Sequence, residues 1–221
     1  GGEDIVETAD GKLSVQGAAS VMLVNGILAR KIFDRNKDKH SFYIEESYVI
    51  PWMYPYLRPH GIIMKLDKDP LPSPQENPAL WQEIVRLDRA YWDKLSGEFM
   101  AREDFQRNHD AQKSFSKLRS AIGGLYAARG LTAEAEYAFK QSQKMCEYSP
   151  EANFRLADMY MKLHRFQEAR TLIENYLAID KYNDSAKAFL AGVEGVIRDD
   201  MRRRDLENVM NQSLGTMNTA L

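Results

Sequence analysis

The sequence predicts a mainly α fold in which helical hairpins form an array (an α-solenoid), preceded by a small α+β unit. The first observation is an internal repeat. When residues 116–149 are aligned with residues 150–183, small residues match small residues and bulky residues match bulky residues. The second is that residues 41–50 and 61–66 are rich in β-branched and aromatic residues, which favours strands. The third is the proline-rich stretch DKDPLPSPQENP, which is typical of a stiff linker. We therefore expect a small domain at 1–66, a linker at 67–78 and a helical array at 79–221.

The small domain begins with signals of a hairpin, a helix and two strands. In residues 5–15, IVETADGKLSV, an Asp-Gly pair lies between short alternating segments, which indicates a hairpin. A helix with one buried face is predicted over 18–35, because apolar residues recur there at helical spacing, at Val21, Val24, Leu28 and Ile32. The prolines of residues 51–60, PWMYPYLRPH, favour a short helical turn or an irregular loop over a sheet interior.

The two tandem copies match position by position across an offset of 34 residues. The matched pairs are Ile122 with Leu156, Gly123 with Ala157, Tyr126 with Tyr160, Ala135 with Ala169, and Phe139 with Ile173. Antiparallel helices approach to about 8–10 Å only where small residues lie at the crossing. The small pairs therefore mark the predicted helix crossings, and each copy is a helix, a turn and a second helix.

Less regular segments flank these copies. Residues 82–115 align as a degenerate repeat. Trp92 and Phe105 fall in bulky columns and Ala101 in a small column, but Arg89 occupies a position that should be small. Residues 184–214 fit as a capping helix, since end repeats have one face without a neighbour. Asn77-Pro78 and Ser149-Pro150 each place an N-cap before a proline, which predicts two helix starts.

The repeat length and column pattern resemble the tetratricopeptide repeat (TPR) family over the C-terminal part of the chain. A generic helical bundle is the alternative. The copies differ from each other where the first has Gly130 and the second has His164. The carboxylate-clamp members of the family need Lys and Asn at first-helix positions that Ser120, Gly124, Phe154 and Asp158 occupy in this chain, so we expect no clamp for a C-terminal carboxylate.

The resemblance implies that a protein or peptide partner binds the concave face, which the first helix of each repeat lines. The predicted binding residues on this face are Arg86, Lys94, Lys117, Ser120, Phe154, Asp158, Met161 and Lys162. Because the face carries charges of both signs, it should not select strongly for acidic or basic peptides. Phe154 and Met161, two turns apart, are the natural apolar anchors. The alternative is that the last helix folds back over them with Leu206, Val209, Met210 and Leu214.

A second resemblance lies in residues 23–66, LVNGILARKIFDRNKDKHSFYIEESYVIPWMYPYLRPHGIIMKL. Their order of helix, basic corner, F-Y-I strand, P-Y-L loop and H-G-I-I-M-K-L strand resembles the soluble region that follows the membrane part of bacterial multi-spanning proteins related to type C glycosyltransferases. Lys39-His40-Ser41 stands where the commoner pattern has Arg-Pro. The resemblance implies that the catalytic acids belong to a membrane-embedded part upstream, and that this chain is a non-catalytic tail.

Composition and motifs indicate no catalytic, cofactor or metal site. The formal net charge of −2, without aromatic residues interleaved in a basic stripe, argues against nucleic acid as a partner. The histidines are far apart and lack partners at ligand spacing, Cys146 is a lone cysteine, and no nucleophile or phosphate-binding motif occurs. The longest apolar run, 18–29, is too short to span a bilayer, so we expect membrane contact only through upstream segments.

One aromatic cluster in the small domain has two possible roles. Tyrosine and tryptophan combine an apolar body with a polar tip, so a set of them can stack on a sugar or pack an interior. The residues are Tyr48, Trp52, Tyr54, Tyr56 and His60. We favour packing of the small domain onto the first repeat, because small domains need large side chains to bury enough area.

These observations predict a non-catalytic protein-interaction scaffold. Its expected setting is the extracytoplasmic side of a bacterial membrane, as the C-terminal tail of a glycosyltransferase-like membrane protein. The alternative is a free-standing cytoplasmic TPR adaptor.

Overall fold

The computed structural model describes residues 5–7, 11, 13–15, 17–45 and 50–218. The chain forms two compact units, residues 1–103 with 121–135, and residues 104–120 with 136–221. The strands are β1 (Ile5–Glu7), β2 (Leu13–Val15), β3 (Phe42–Ile44), β4 (Leu57–His60) and β5 (Ile63–Leu66). The helices are α1 (Ala18–Asn36), α2 (Pro78–Met100), α3 (Glu103–Arg107), α4 (His109–Ala128), α5 (Thr132–Met145), α6 (Pro150–Lys162), α7 (Phe166–Ile179) and α8 (Asp184–Asn218).

The predicted fold class is confirmed: the chain is mainly α, with a TPR-like array of helical hairpins after a small α+β unit. Both proline-led helix starts form as predicted. The Asn77 side chain accepts a bond from the Leu80 amide at 3.0 Å at the start of α2. The Ser149 hydroxyl caps α6 in the same way. Whether 1–66 folds as a separate domain stays a prediction.

The small unit contains two sheets. Strands β1 and β2 pair antiparallel, as the Asp-Gly signal predicts. The second sheet has the order β3-β5-β4 with antiparallel neighbours. Gly61 begins the two-residue turn between β4 and β5 with a φ of 63°, a conformation that favours glycine.

The structure differs from the prediction at β4. Residues 57–60 form a strand, although their proline suggested a turn or loop. Proline has no backbone N–H to donate, which would leave a hydrogen bond unmade in an interior strand. Because β4 lies at the edge of the sheet, Pro59 is accommodated there. The preceding residues, Pro51–Tyr56, form the expected short helical turn, as a 3-10 helix.

The repeat columns are buried as predicted. Ala135 and Ala169, at the predicted helix crossings, both lie fully inside the protein. The bulky columns are also buried, at Ile122, Leu156, Tyr126, Tyr160, Phe139 and Ile173. In the second unit, α7 packs against α6 and α8, and its core is formed by Ala157, Ile173, Tyr176 and Ala186.

The two copies also share their turn geometry. In the first, the Leu131 amide bonds to the Tyr126 carbonyl at 2.9 Å, with Gly130 at a φ of 73°. In the second, the Arg165 amide bonds to the Tyr160 carbonyl at 2.8 Å, with His164 at a φ of 57°. Both are Schellman helix ends, which require a left-handed residue at this position. The difference between Gly130 and His164 therefore changes the strain at the turn but not its shape.

The degenerate repeat does not form two full helices. Helix α2 continues to Met100, so Ala101 is an exposed helix end and not a crossing residue. The second helix is reduced to the five residues of α3. Phe105 in α3 is nevertheless buried, as its column predicts.

Candidate functional site

The predicted concave-face residues of the first unit are exposed on α2. Arg86 donates to Glu83 with Nε and with Nη2, each at 2.7 Å. Lys94 lies 3.9 Å from Glu98. Both cations are paired one helical turn away on their own helix, and Arg86 also lines a cleft of about 450 Å³ within the first unit.

The predicted polar residues of the second unit differ in exposure. Ser120 is fully buried, with its hydroxyl 3.4 Å from the Glu151 carbonyl, so its side chain is not presented to a partner. Lys117 is half-buried. Asp158 and Lys162 are exposed and form an ion pair at 2.6 Å. A role for these charged residues in partner binding stays a prediction.

The predicted anchor Phe154 is half-buried and packs against the core of the second unit. Its ring contacts Tyr176 at 5.8 Å and Phe189 of α8 at 5.8 Å between centroids. The last helix therefore contacts Phe154, but with Phe189 near its start and not with the residues that the alternative named. Leu206 and Met210 are exposed, and the side chains of 209 and 214 lie outside the described residues. Met161, the second predicted anchor, is half-buried.

The array carries a groove that sequence reasoning missed, between α5 and α7. It has a volume of about 440 Å³. Its apolar lining is Leu172, Tyr176 and Ile179, and its polar lining is Lys140, Gln143, Lys144, Glu147, Asn153 and Asn175. These residues come from second helices, from the loop after α5 and from the start of α6, whereas the TPR resemblance pointed to first helices. We call this the α5–α7 groove.

The amides of the α5–α7 groove are held in place by hydrogen bonds. The Gln143 amide donates to the Asn153 side-chain oxygen at 2.7 Å. The Asn153 amide in turn donates to the Glu147 and Ser149 carbonyls, each at 2.9 Å. Asn175 and Ile179 are exposed at the rim. The groove thus offers an apolar floor beside oriented amide groups.

An ionic network links α5, α6 and α7 beside this groove. Glu136 accepts from Arg165 at 2.6 Å and from the Tyr160 hydroxyl at 2.9 Å. Lys140 lies 2.7 Å from the same carboxylate. Arg165 also bonds to Glu168 and stacks over the Tyr160 ring at 4.2 Å. Arg165 above all, followed by Lys140 and Tyr160, lowers the pKa of Glu136 to about 2 against the effect of burial.

The one cysteine has no nucleophilic setting. Cys146 is buried, and burial raises the pKa of its thiol. Its neighbour Tyr148 bonds to His109 at 2.5 Å and to Gln112 at 3.1 Å. Burial likewise raises the pKa of Tyr148 to about 12. Both groups are protonated near neutral pH, which is the state expected of structural side chains.

Two members of the aromatic cluster, Trp52 and Tyr56, pack on α1. The Trp52 indole donates to the Gly26 carbonyl at 3.0 Å, and Phe33 contacts both Trp52 and Tyr56. Arg30 stacks over the Trp52 and Tyr56 rings at 4.9 and 5.2 Å. These three aromatic residues are therefore committed to each other and to the helix.

The other members of the cluster have separate surroundings. The Tyr54 carbonyl accepts from Arg129 at 2.8 Å, within the first unit. The exposed His60 ring lies 5.2 Å from Tyr43. Tyr48 lies outside the described residues. A sugar-binding role for the cluster stays a prediction, but Trp52 and Tyr56 have packing partners that account for them.

Helix α1 presents an apolar surface that the prediction placed inside. The stripe expected to be buried is largely exposed: Val21 is 41% exposed, Leu28 53% and Ile32 56%. The buried residues are instead Gly26 and Phe33. Beside the exposed stripe lies an open groove of about 830 Å³, lined by Met22, Leu23, Gly26, Ile27, Arg30, Lys31, Ile50, Pro51 and Trp52.

Two further properties concern only the part of the chain that the structure describes. No group of three or more His, Cys, Asp or Glu side chains there is arranged to hold a metal ion. Within those same residues, every helix is too short or too polar to cross a membrane.

Comparison with known proteins gives a structural likeness to a TPR domain. No protein-family model matches the chain, and no curated protein matches it. The chain is similar to the solved structure of the first TPR of Spaghetti (RPAP3) bound to the HSP90 peptide SRMEEVD. The two are 14% identical, with 48% of this chain and 93% of that chain covered and a TM-score of 0.34.

Proposed function

We propose that this chain is a non-catalytic scaffold that binds an extended polypeptide segment in the α5–α7 groove. The observation that carries the proposal is the combination of an apolar floor, at Leu172 and Tyr176, and an apolar rim residue, Ile179, with amides held at the groove edge. Side-chain amides can donate to and accept from a peptide backbone, and an apolar floor can take one side chain of the peptide. Lys144 at the rim adds a charge that favours an acidic residue in that segment.

A scaffold role also agrees with the perturbed groups of the array. Shifted pKa values mark active sites in many proteins, but ion-pair networks produce them as well. Here the low pKa of Glu136 follows from Arg165, Lys140 and Tyr160, which join three helices. These contacts account for the shift as a structural feature of the array.

For the setting of the protein, we propose the extracytoplasmic tail of a bacterial glycosyltransferase-like membrane protein. The support is the resemblance of residues 23–66, followed in order by a TPR-like array. A free-standing cytoplasmic adaptor is the second candidate. The encoded sequence upstream distinguishes them: several spans of about 20 apolar residues favour the first, and a nearby start codon favours the second.

Selection from a random peptide library tests the groove. Wild type should enrich a peptide family that Ile179→Asp binds at least tenfold more weakly, because a carboxylate would replace apolar contact at the groove rim. Lys144→Glu should weaken the acidic members of that family in particular. Tyr182→Asp is the matched control, since Tyr182 is 88% exposed in the same unit and does not line the groove.

Two results would contradict this assignment. Equal affinity of wild type and Ile179→Asp for the enriched peptides would exclude the α5–α7 groove. Loss of binding in Met161→Asp, with Ile179→Asp unaffected, would place the partner on the first-helix face that the TPR resemblance predicted.

A further inference from the structure

The exposed surface of α1 has a regular pattern. Gly26 and Phe33, seven residues apart, form the stripe that faces the protein. An added Cβ at Gly26 would lie 3.1 Å from Ile50, and the Trp52 indole bonds to the Gly26 carbonyl, so this contact is close and fixed in direction. The side of α1 turned away from the protein is thereby defined by the geometry of the helix.

The outward side of α1 is apolar near its start and basic near its end. The apolar residues Val21, Leu28 and Ile32 recur at helical spacing on this side and are exposed. Lys31, next to Ile32, and Arg35 lie on the same side, and Lys37 and Lys39 follow at the helix end. From residue 18 to residue 29 the helix carries no charged side chain. Polarity therefore changes along the helix axis as well as around it.

A contiguous set of exposed apolar side chains on one helix marks an interaction surface. An apolar helix half followed by clustered basic residues suits a lipid surface, where apolar side chains enter the acyl boundary and cations meet the headgroups. Arg30, stacked on Trp52 and Tyr56, lies at the change from apolar to charged residues. Tryptophan and tyrosine are also the aromatic residues enriched at that depth of a bilayer.

We propose that α1 docks on an anionic phospholipid bilayer surface, with its apolar half in the interface and its basic end against the headgroups. The acidic side chains on this helix and the turn after it do not cancel the charge. Asp34 is paired with Arg30 at 2.7 Å, and Asp38 is paired with Lys68. The surface is then positively charged, and this charge is complementary to anionic lipids. The residues that carry it are Lys31, Arg35, Lys37 and Lys39.

This proposal differs from the sequence-based expectation that only upstream segments contact the membrane. It is compatible with the proposed membrane setting but does not depend on the α5–α7 groove. Vesicle binding examines α1 alone, whereas peptide selection examines the groove alone. If one of these tests fails, the proposal that the other test examines is unaffected.

Vesicle co-sedimentation of the full chain tests the proposal. Wild type should bind phosphatidylcholine vesicles that contain phosphatidylglycerol, bind pure phosphatidylcholine more weakly, and dissociate as salt is added. Leu28→Glu should weaken binding to the mixed vesicles more than tenfold, because it places a charge where an apolar side chain enters the interface. Leu206→Glu, at an apolar residue similarly exposed on α8, should bind as wild type does.

The basic end is tested separately. Lys31→Gln with Arg35→Gln should weaken binding to the mixed vesicles about 25-fold, since each basic side chain near an anionic surface contributes roughly fivefold in affinity. Arg202→Gln with Arg203→Gln, on the exposed part of α8, should change nothing. Circular dichroism melts of all variants check that each is folded.

Three results would overturn the proposal. Wild type that stays in solution with the mixed vesicles would exclude a lipid surface as the occupant. Equal binding to neutral and mixed vesicles would exclude the role of the basic end. Wild type that elutes as a dimer, with Leu28→Glu a monomer and no vesicle binding by either, would show that a second copy covers this face.

Discussion

Glu136→Gln should destabilise the array by about 2 kcal/mol at neutral pH. A pKa displaced from the ordinary 4.5 to about 2 corresponds to about 3 kcal/mol of favourable interaction with the ionised carboxylate. The Glu136 side chain remains 18% exposed and Arg165 32%, so solvent screening reduces this figure. Glutamine keeps an oxygen that can accept from Arg165 and Tyr160, so the substitution removes mainly the charge.

The pH dependence identifies the cause of this loss. Because the folded-state pKa of Glu136 lies below the unfolded value, its stabilisation is complete above about pH 4.5 and disappears as the pH falls towards 2. Arg165 keeps its proton throughout, since Glu168 and then Glu136 raise its pKa. The stability difference between wild type and Glu136→Gln should therefore shrink steadily through this window.

Urea unfolding followed by circular dichroism, at several pH values between 7 and 3, measures the difference. Glu174→Gln is the matched control: Glu174 bonds to Arg170 at 2.9 Å, but both side chains are 43% exposed. Its loss should stay within about 0.5 kcal/mol, as for other exposed pairs one helical turn apart. An equal urea midpoint for wild type and Glu136→Gln at pH 7 would refute the electrostatic reasoning. A loss of the same size at every pH would assign it to packing.

Two further substitutions test the repeat register. His164→Gly should raise the free energy of unfolding by about 1 kcal/mol. His164 adopts the left-handed conformation that glycine occupies without strain at the matching position in the first copy. An unchanged urea midpoint would argue against strain at this turn. Ala169→Arg should lower the free energy of unfolding by several kcal/mol, since a long charged side chain would enter a fully buried helix crossing. Ala128→Arg, at an exposed position, should cost little. Equal melting temperatures for the two variants would contradict the assignment of Ala169 to a helix crossing.

The repeat register could be read from the sequence because helix crossings impose strict demands on residue size. Ala135 and Ala169 are fully buried 34 positions apart, and the hydrogen bonds at Gly130 and His164 repeat at the same offset. A larger residue at either crossing would separate the helices. Size constraints of this kind appear directly in the sequence as alternating columns of small and bulky residues.

The ionic network and the α5–α7 groove could not be read in this way. Glu136 and Arg165 are not equivalent positions of the two copies, and the ion pair does not recur at the aligned positions of the other copy. Their contact depends on how α5, α6 and α7 meet in three dimensions. The same holds for Gln143 and Asn153, whose bond shapes one edge of the groove. Polar contacts between non-equivalent positions leave no periodic signal.

Helix α1 marks a different limit of sequence reasoning. The apolar spacing of Val21, Leu28 and Ile32 correctly predicts a helix, and it indicates a face that is unfavourable in water. The prediction assigned that face to the protein interior, but the interior contacts belong to Gly26 and Phe33. Periodicity reports that a surface is apolar, while the choice between a protein core, another chain and a lipid surface depends on charge and geometry. The basic residues at the end of α1 favour the lipid surface, and vesicle binding by Leu28→Glu decides whether that inference is right.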